Sequence, residues 1–590
     1  MDQNVNATEA LSALNRRLVE AVLKPLANGG GPDVAEVFKS LTAGLAQDTG
    51  RWFEIQNRYY QKQIQLWASV SAPAAEAAPT PVIAPDPADR RFRAREWQEP
   101  YFKYLLQSYL LRARWLSEIV DNARLETHAK KKLVFFARQM IDAMSPANFP
   151  WSNPEALKLA AETRGESLAQ GLKNLAADLD KGRVSMTDER AFEVGRNLAI
   201  TPGAVVFEND FFQLIQYRPA TDNVYQRPLL MVPPCINKYY ILDLQPENSF
   251  VRFAVGQGHT VFMVSWRNMP LSMGNATWDD YLEQGVIKAI GTAADICGVE
   301  KINALGFCVG GTLLGSALAI LRGKGHDPVA SLTLLAAMLD FCDTGELGVF
   351  VDEAYVGRRE QDFAAGGVLH GRELALTFAS LRANELIWHY VVNNYLMGRT
   401  PDAFDLLYWN GDSTNLPGAM YVYYVRNMYL ENNLRSPGRL TMCGVPVDLG
   451  RIDMPAYLLA TREDHIVPWK TAYASTRLLG GKMEFVLAAS GHIAGVINPA
   501  SRSRRNYWLN GNLEVDPERW LAAAISHPGS WWTHWSAWLA AYGGDRIAAR
   551  AVLGSDRYRE IEPAPGRYVT EKCDQRDPGR SLSDLAPTNS

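Results

Sequence analysis

From about residue 200 onward the chain alternates two patterns, and this alternation constrains the fold more than any other feature. Short apolar runs recur, "RPLLMVPPCIN", "HTVFMVSW", "KINALGF", "VASLTLLAAM", "MPAYLLAT" and "MEFVLAA", each with the length and composition of a strand buried on both faces. Between several of them lie segments of helical periodicity. The clearest is "WDDYLEQGVIKAIGTAADICG", for which Thr277 is a suitable N-terminal cap. Strands alternating with helices form a parallel sheet covered on both faces. Ahead of them, "GAVVFENDFFQLIQY" reads as two strands of a hairpin turning at Asn209 and Asp210.

The rest of the chain is organised around this α/β core. Residues 8 to 69 and 97 to about 199 carry apolar positions at spacings of three and four, the mark of amphipathic helices. Such stripes pack against neighbouring helices more often than they bind a surface. Between them, "SAPAAEAAPTPVIAPDP" has too much proline for a helix or a central strand and reads as a linker over 71–87. Residues from about 340 to 440 interrupt the strand and helix alternation with helical runs and an aromatic-rich stretch, so they read as a cap inserted over the site. The expected division is a helical domain at 1–199, an α/β domain at 200–570 and a disordered tail at 571–590.

Composition removes several function classes. With a net charge of -4, the chain has no basic field for nucleic acid. No apolar run approaches the roughly 20 residues of a membrane span; "LTLLAAML" has the length of a buried strand. The first residues lack a basic start followed by an apolar block, which points to the cytoplasm. Cysteines at 235, 297, 308, 342, 443 and 573 form no CxxC pair, and the histidines form no HExxH, so neither a metal site nor a disulfide framework is expected.

Within "LGFCVGGTLLG", Gly306, Cys308 and Gly310 form a GxCxG between a strand and a helix, the spacing of the nucleophile elbow of α/β-hydrolases. The turn strains the nucleophile's backbone, and the residues two before and two after must be tiny for strand and helix to approach. A helix N-terminus and a nearby histidine favour a thiolate there. On the pentapeptide alone, a small thiol packed in a tight turn explains the motif equally well. The partners decide. In this fold the nucleophile is followed along the chain by an acid and then a histidine, each after a late strand. "MPAYLLATREDHIVP" supplies Asp464 and "MEFVLAASGHIAGVINP" supplies His492. His465, adjacent to Asp464, is a rival base whose side chain tends to point elsewhere.

Acyl transfer needs two N–H donors for the oxyanion. The backbone of Val309 follows from the elbow, and Ile236, in the loop "PPCINKYYILDL", is the candidate for the second. Cys235 in the same loop reads as a small buried residue before it reads as a second thiol of the site. Aromatic residues of the cap, Tyr408, Trp409, Tyr421, Tyr423 and Tyr424, are candidates for a dry substrate wall, with Tyr408 and Trp409 foremost.

The blocks "PPCINKYYILDLQPENSFVRF", "GFCVGGTLL", "FDLLYWNGDSTNLPG", "CGVPVDL", "REDHIVPW", "ASGHIAGVINP", "GSWW" and "IEPAPGRYV" closely resemble the class I polyhydroxyalkanoate synthases over most of residues 90–570. The resemblance implies an α/β-hydrolase fold with a cap, behind a mostly helical N-terminal domain. It also implies polymerisation of short (R)-3-hydroxyacyl-CoA, foremost 3-hydroxybutyryl-CoA, with Cys308, Asp464 and His492 as the catalytic set. No cofactor is implied, coenzyme A being part of the substrate and a product. Homodimerisation, granule-associated protein partners and a place on cytoplasmic polyester granules are implied as well, with granule attachment and partner contacts in the N-terminal region. A thioesterase or polyester depolymerase of the same fold is the second reading, and an inactive granule scaffold the third.

Overall fold

The computed structural model describes residues 42, 48–71, 81–502 and 504–573, and the chain divides into two compact units. One is residues 1–189 with Ala375–Phe404; the other is Arg190–Leu374 with Asp405–Ser590. The helices expected over residues 8–41, most of the linker and the tail from 574 lie outside the described residues.

The first unit is helical. Helices α1 (Thr49–Ser71), α2 (Pro100–Asn122) and α3 (Thr127–Ala143) share an apolar cluster of Ile55, Ile119, Val120, Leu133 and Ala137. Tyr59 and Trp115 add a tilted ring pair 5.2 Å apart. Helices α4 (Pro154–Glu162) and α5 (Glu166–Lys181) follow, and Gly182 ends α5 with φ of 73°. The helical pattern expected to continue to 199 therefore stops at 181, because a left-handed residue at that point turns the chain out of the helix. The segment Ala375–Phe404, which sequence assigns to the cap, belongs to this unit. Tyr395 donates its hydroxyl to Asp178 at 2.7 Å, and Asn394 donates to the carbonyl of Ser185 at 2.7 Å. Gly171 lies so close to this segment that a Cβ there would stand 1.9 Å from the Tyr395 carbonyl oxygen.

The second unit is built on one 11-stranded sheet. Its strands are β1 (Gly203–Glu208), β2 (Phe212–Tyr217), β3 (Leu229–Val232), β4 (Val261–Trp266), β5 (Ile302–Phe307), β6 (Val329–Leu335), β7 (Ala456–Thr461), β8 (Met483–Ala488), β9 (Asn506–Leu509), β10 (Ile525–Pro528) and β11 (Glu562–Pro563). The spatial order is β10-β9-β8-β7-β6-β5-β3-β4-β2-β1-β11. Strands β4, β3, β5, β6, β7 and β8 pair in parallel, and antiparallel strands extend both edges. The expected hairpin is β1 and β2, closed by the amide of Asn209 donating to the Phe212 carbonyl. Thr277 and Asp280 form a capping box at the head of the helical stretch that continues into α6 (Lys288–Cys297).

Both faces of the parallel strands are covered, which is why they read as continuous apolar runs. On one face lies α7 (Val309–Gly323), with every side chain from Val309 to Leu321 buried. On the other, Trp531, Trp532 and Trp535 of helix α9 (Trp531–Ala540) pack around Phe250 at 4.6 to 5.6 Å between ring centres. The short helix α8 (His492–Val496) precedes α9 along the chain.

Candidate active site

Cys308 stands between the end of β5 and the start of α7 with φ of 52° and ψ of -129°. An L-residue adopts such a backbone only when its surroundings over-determine it. They do so here from both sides. The Cys308 amide donates to the Leu335 carbonyl on β6 at 3.0 Å, and its own carbonyl accepts from the Gly311 amide at 2.8 Å. A Cβ on Gly306 would stand 2.5 Å from the Cα of Gly311, and one on Gly310 2.2 Å from the Val232 carbonyl oxygen. Only glycine leaves room at these two positions, and the turn lifts a half-buried Cys308 side chain to the carboxyl end of the sheet.

Asp464 follows β7, and His492 opens α8 after β8, so both arrive at the same end of the sheet. The Asp464 carboxylate has four donors: the amides of Ile466 and Val467 at 2.9 and 2.8 Å, the Thr461 hydroxyl at 3.0 Å, and His492 Nδ1 at 2.7 Å. These fill the acceptor positions of a carboxylate, so the adjacent His465 is not the ring it orients. His465 instead contributes its backbone carbonyl, which accepts from the Glu346 amide. The His492 loop is fixed from behind by α9, whose Trp531 and Trp532 indoles donate to the carbonyls of Gly495 and Val496. The Phe307 ring stacks on the imidazole at 5.6 Å.

Burial acts against a charged His492, but the Asp464 carboxylate and then the Cys308 sulfur outweigh it and raise its pKa to about 10. Burial likewise opposes ionisation of Asp464, and the His492 charge and the donated hydrogen bonds more than reverse this, so the carboxyl is held below its usual range. The arrangement is an oriented, readily protonated imidazole beside a thiol at a helix N-terminus. That set can take a proton from sulfur and return it to a leaving group.

Val309 N–H, the first amide of α7, directly follows Cys308. Ile236 lies in the loop after β3 and is half-buried; its carbonyl accepts from the Thr414 amide at 2.8 Å. Cys235 is 1% exposed, and burial, followed by the charge of Cys308, pushes its thiol up to about 12. The sequence candidates for the substrate wall are distributed less evenly. Trp409 is buried, with its indole donating to the Lys238 carbonyl at 2.7 Å. Tyr408 lies against Phe192 and Tyr240. Tyr421 pairs its hydroxyl with that of Tyr355, and Tyr423 stacks on Trp278. The Tyr424 and Tyr429 phenols both feel the nucleophile: burial raises each, followed at Tyr424 by Tyr429 and then Cys308, and at Tyr429 by Cys308. They meet edge to face at 5.3 Å, and Tyr424 stacks on Trp278 at 5.2 Å. Tyr429 and Phe307 carry no local sequence signal of a site role beyond their aromatic character.

Among the described residues no group of three or more His, Cys, Asp or Glu side chains is placed to hold a metal ion, and no helix is long and apolar enough to cross a membrane.

Comparison with known proteins places these features in context. Residues 88–254 match the family described as "Poly-beta-hydroxybutyrate polymerase (PhaC) N-terminus", and residues 228–499 match the alpha/beta hydrolase fold. The chain is 56% identical over 538 residues to the poly(3-hydroxyalkanoate) polymerase subunit PhaC of Cupriavidus necator, covering 90% of each chain. It is 41% identical over 565 residues to the poly(3-hydroxyalkanoate) polymerase of Methylorubrum extorquens, covering 94% of this chain and 93% of that one. Poly(3-hydroxyalkanoate) polymerase 1 of Ectopseudomonas oleovorans is 39% identical over 496 residues, 83% of this chain and 88% of its own.

Proposed function

Because the chain belongs to the poly(3-hydroxyalkanoate) polymerases, acyltransferases that join hydroxyacyl units, we propose that it polymerises (R)-3-hydroxyacyl-CoA, foremost (R)-3-hydroxybutyryl-CoA, through an acyl group carried on Cys308. The observation that carries this reading is the imidazole of His492, fixed at 2.7 Å by Asp464 and raised by the sulfur of Cys308 at a strained elbow.

In the first step the Cys308 thiolate attacks the thioester carbonyl, the bond from carbonyl carbon to the coenzyme A sulfur breaks, and the His492 proton passes to the departing thiolate. One thioester replaces another, so the step is nearly balanced in energy. The amides of Val309 and Ile236 take the oxyanion. In the second step the 3-hydroxyl of an incoming acyl-CoA, deprotonated by His492, attacks the carbonyl of the acyl group on Cys308; the carbon–sulfur bond to Cys308 breaks, the His492 proton returns to that sulfur, and an ester replaces a thioester. Asp464 orients the imidazole in both. Tyr424 and Tyr429, with the rings around them, supply the dry wall that lets a hydroxyl compete with water. The chemistry takes no cofactor, since coenzyme A enters with the substrate and leaves as product. We extend this, through the family resemblance, to a homodimer working on cytoplasmic polyester granules among granule-associated proteins, with Trp409 and Tyr408 contacting substrate.

Purified protein given (R)-3-hydroxybutyryl-CoA is expected to release free thiol and turn turbid with polyester, and Cys308→Ala to do neither while keeping its fold. Soluble 3-hydroxybutyrate in place of polymer would make it a thioesterase. Retained thiol release in Cys308→Ala would remove the nucleophile assignment.

A further inference from the structure

The last described residues, 568–573, return over β2 and the end of β4 and finish against two stretches that are laced together. One stretch is the loop after β3. The other is the base of the cap, residues 409–415. The two are joined by a β-bridge between Asn237 and Ser413, by the Thr414 amide on the Ile236 carbonyl, and by the Trp409 indole on the Lys238 carbonyl. The returning segment touches both. Tyr568 receives the Lys238 ammonium on its carbonyl at 3.3 Å, Lys572 receives the Asn268 amide at 3.3 Å, and Cys573 receives the Asn415 amide at 3.4 Å.

Charge concentrates at this junction. Asp412, with a side chain only 4% exposed, accepts from the Lys572 ammonium at 2.8 Å and from the Tyr240 hydroxyl at 2.9 Å. Lys572 also lies over the Tyr408 ring at 5.5 Å. Lys238, 2% exposed, gives its ammonium to the Tyr568 carbonyl within the field of the Asp412 and Lys572 charges. A buried carboxylate and a buried ammonium are costly to keep unless well paired, and removing one partner leaves the other charge desolvated.

We propose that residues 568–573 form a strap that positions the 233–243 loop, with two positioning residues: Lys572, which holds the buried Asp412 carboxylate, and Lys238, which holds the strap through the Tyr568 carbonyl. Burial pushes the Lys238 amine down to about 8, while the ion pair to Asp412 is made by Lys572. The loop so held carries Ile236, and the catalytic consequence alone rests on the oxyanion role given to Ile236 above. Residues from 571 onward have the composition of a disordered tail, yet Lys572 and Cys573 are seated on this junction.

The test uses the full chain carrying Lys572→Met or Lys572→Arg, with two readouts: hydrogen exchange of peptides covering 233–243, and steady-state thiol release from (R)-3-hydroxybutyryl-CoA. Lys572→Met is expected to speed exchange of the loop about fivefold while peptides of β7 are unchanged. It is expected to lower kcat about tenfold with KM within about twofold. Lys572→Arg, which keeps the charge on Asp412, is expected to restore both. Where Lys572→Met does not fold, Asp412→Asn takes its place with the same expectations. Unchanged exchange in the loop, or an equal loss in Lys572→Arg, overturns the strap. Faster exchange with unchanged kcat supports the strap and overturns the oxyanion role of Ile236, without touching the Cys308 assignment, which has its own alanine test.

Discussion

Asparagine at position 464 keeps the shape of the carboxylate but has a single oxygen to share among four donors. If that oxygen faces the amides of Ile466 and Val467, the NH2 group faces His492 Nδ1, now 2.7 Å away with a proton of its own. The cheapest relief is for the imidazole to move its proton to the other nitrogen, which then cannot accept one from sulfur. The structure also gives a scale. The rise of His492 from 6.5 to about 10 is worth about 5 kcal/mol in favour of the imidazolium, and Asp464 is the largest favourable contributor. Losing part of that support together with the wrong tautomer removes the base from the attack on the thioester, a loss on the order of a hundredfold or more. Single-turnover thiol release from (R)-3-hydroxybutyryl-CoA is therefore expected to slow by about 10² to 10³ in Asp464→Asn. The pH dependence of stability supplies a control. A histidine whose folded pKa is raised stabilises the fold fully below 6.5 and loses that contribution as pH rises toward 10. The wild type should show this loss in denaturant unfolding across that window, and Asp464→Asn should show a smaller one. A variant that releases thiol at more than about a fifth of the wild-type rate, with the wild-type pH profile, would refute the argument that Asp464 sets the state of the imidazole.

Other perturbations follow from the same contacts. His259 is 1% exposed, stacked on Tyr225, with neither ring nitrogen hydrogen-bonded, and burial, then Arg546, lowers its pKa to about 4. The unfolded chain takes up that proton first, so stability falls by up to about 3 kcal/mol as pH drops from 6.5 toward 4; His259→Phe should remove this loss, measured by urea unfolding at pH 4.5 and 7.5. Gly310→Ala places a methyl 2.2 and 2.6 Å from the carbonyl oxygens of Val232 and Pro233, and is expected to destabilise by more than about 3 kcal/mol and to abolish thiol release. Cys235→Ser should keep thiol release within about fivefold of wild type, because a thiol pushed up to about 12 is neutral at working pH. A Cys235→Ser protein as inactive as Cys308→Ala would require a site with two working sulfurs.

The parts of the site legible in the sequence are those that obey local steric rules. Gly306, Cys308 and Gly310 stand out because a strand cannot turn into a closely packed helix around a larger residue. Asp464 and His492 stand out because each ends an apolar run long enough to be a buried strand. Tyr429 gave no such signal. It reaches the neighbourhood of Cys308 from a helical turn, Val425–Leu430, whose position depends on Trp278, Phe341 and Tyr424 packed beneath it. Residues 375–404 were equally opaque. Their apolar periodicity suits any helical neighbour, and it is contacts such as the fit of Gly171 to Tyr395 and the bonds from Tyr395 to Asp178 and from Asn394 to Ser185 that assign them to the helical unit.

The sequence by itself determined the α/β alternation, the strained elbow at Cys308, and the order in which an acid and a histidine follow it, because each of these is a matter of neighbours along the chain. The tertiary structure alone decided that Asp464 meets His492 at 2.7 Å rather than His465, that Trp409 is anchored on Lys238, and that Lys572 reaches Asp412. These contacts join residues separated by 28, 171 and 160 positions. Side chains so far apart are brought together by the packing of layers on both faces of a sheet, and that packing is a property of the whole core, which no single stretch of sequence encodes.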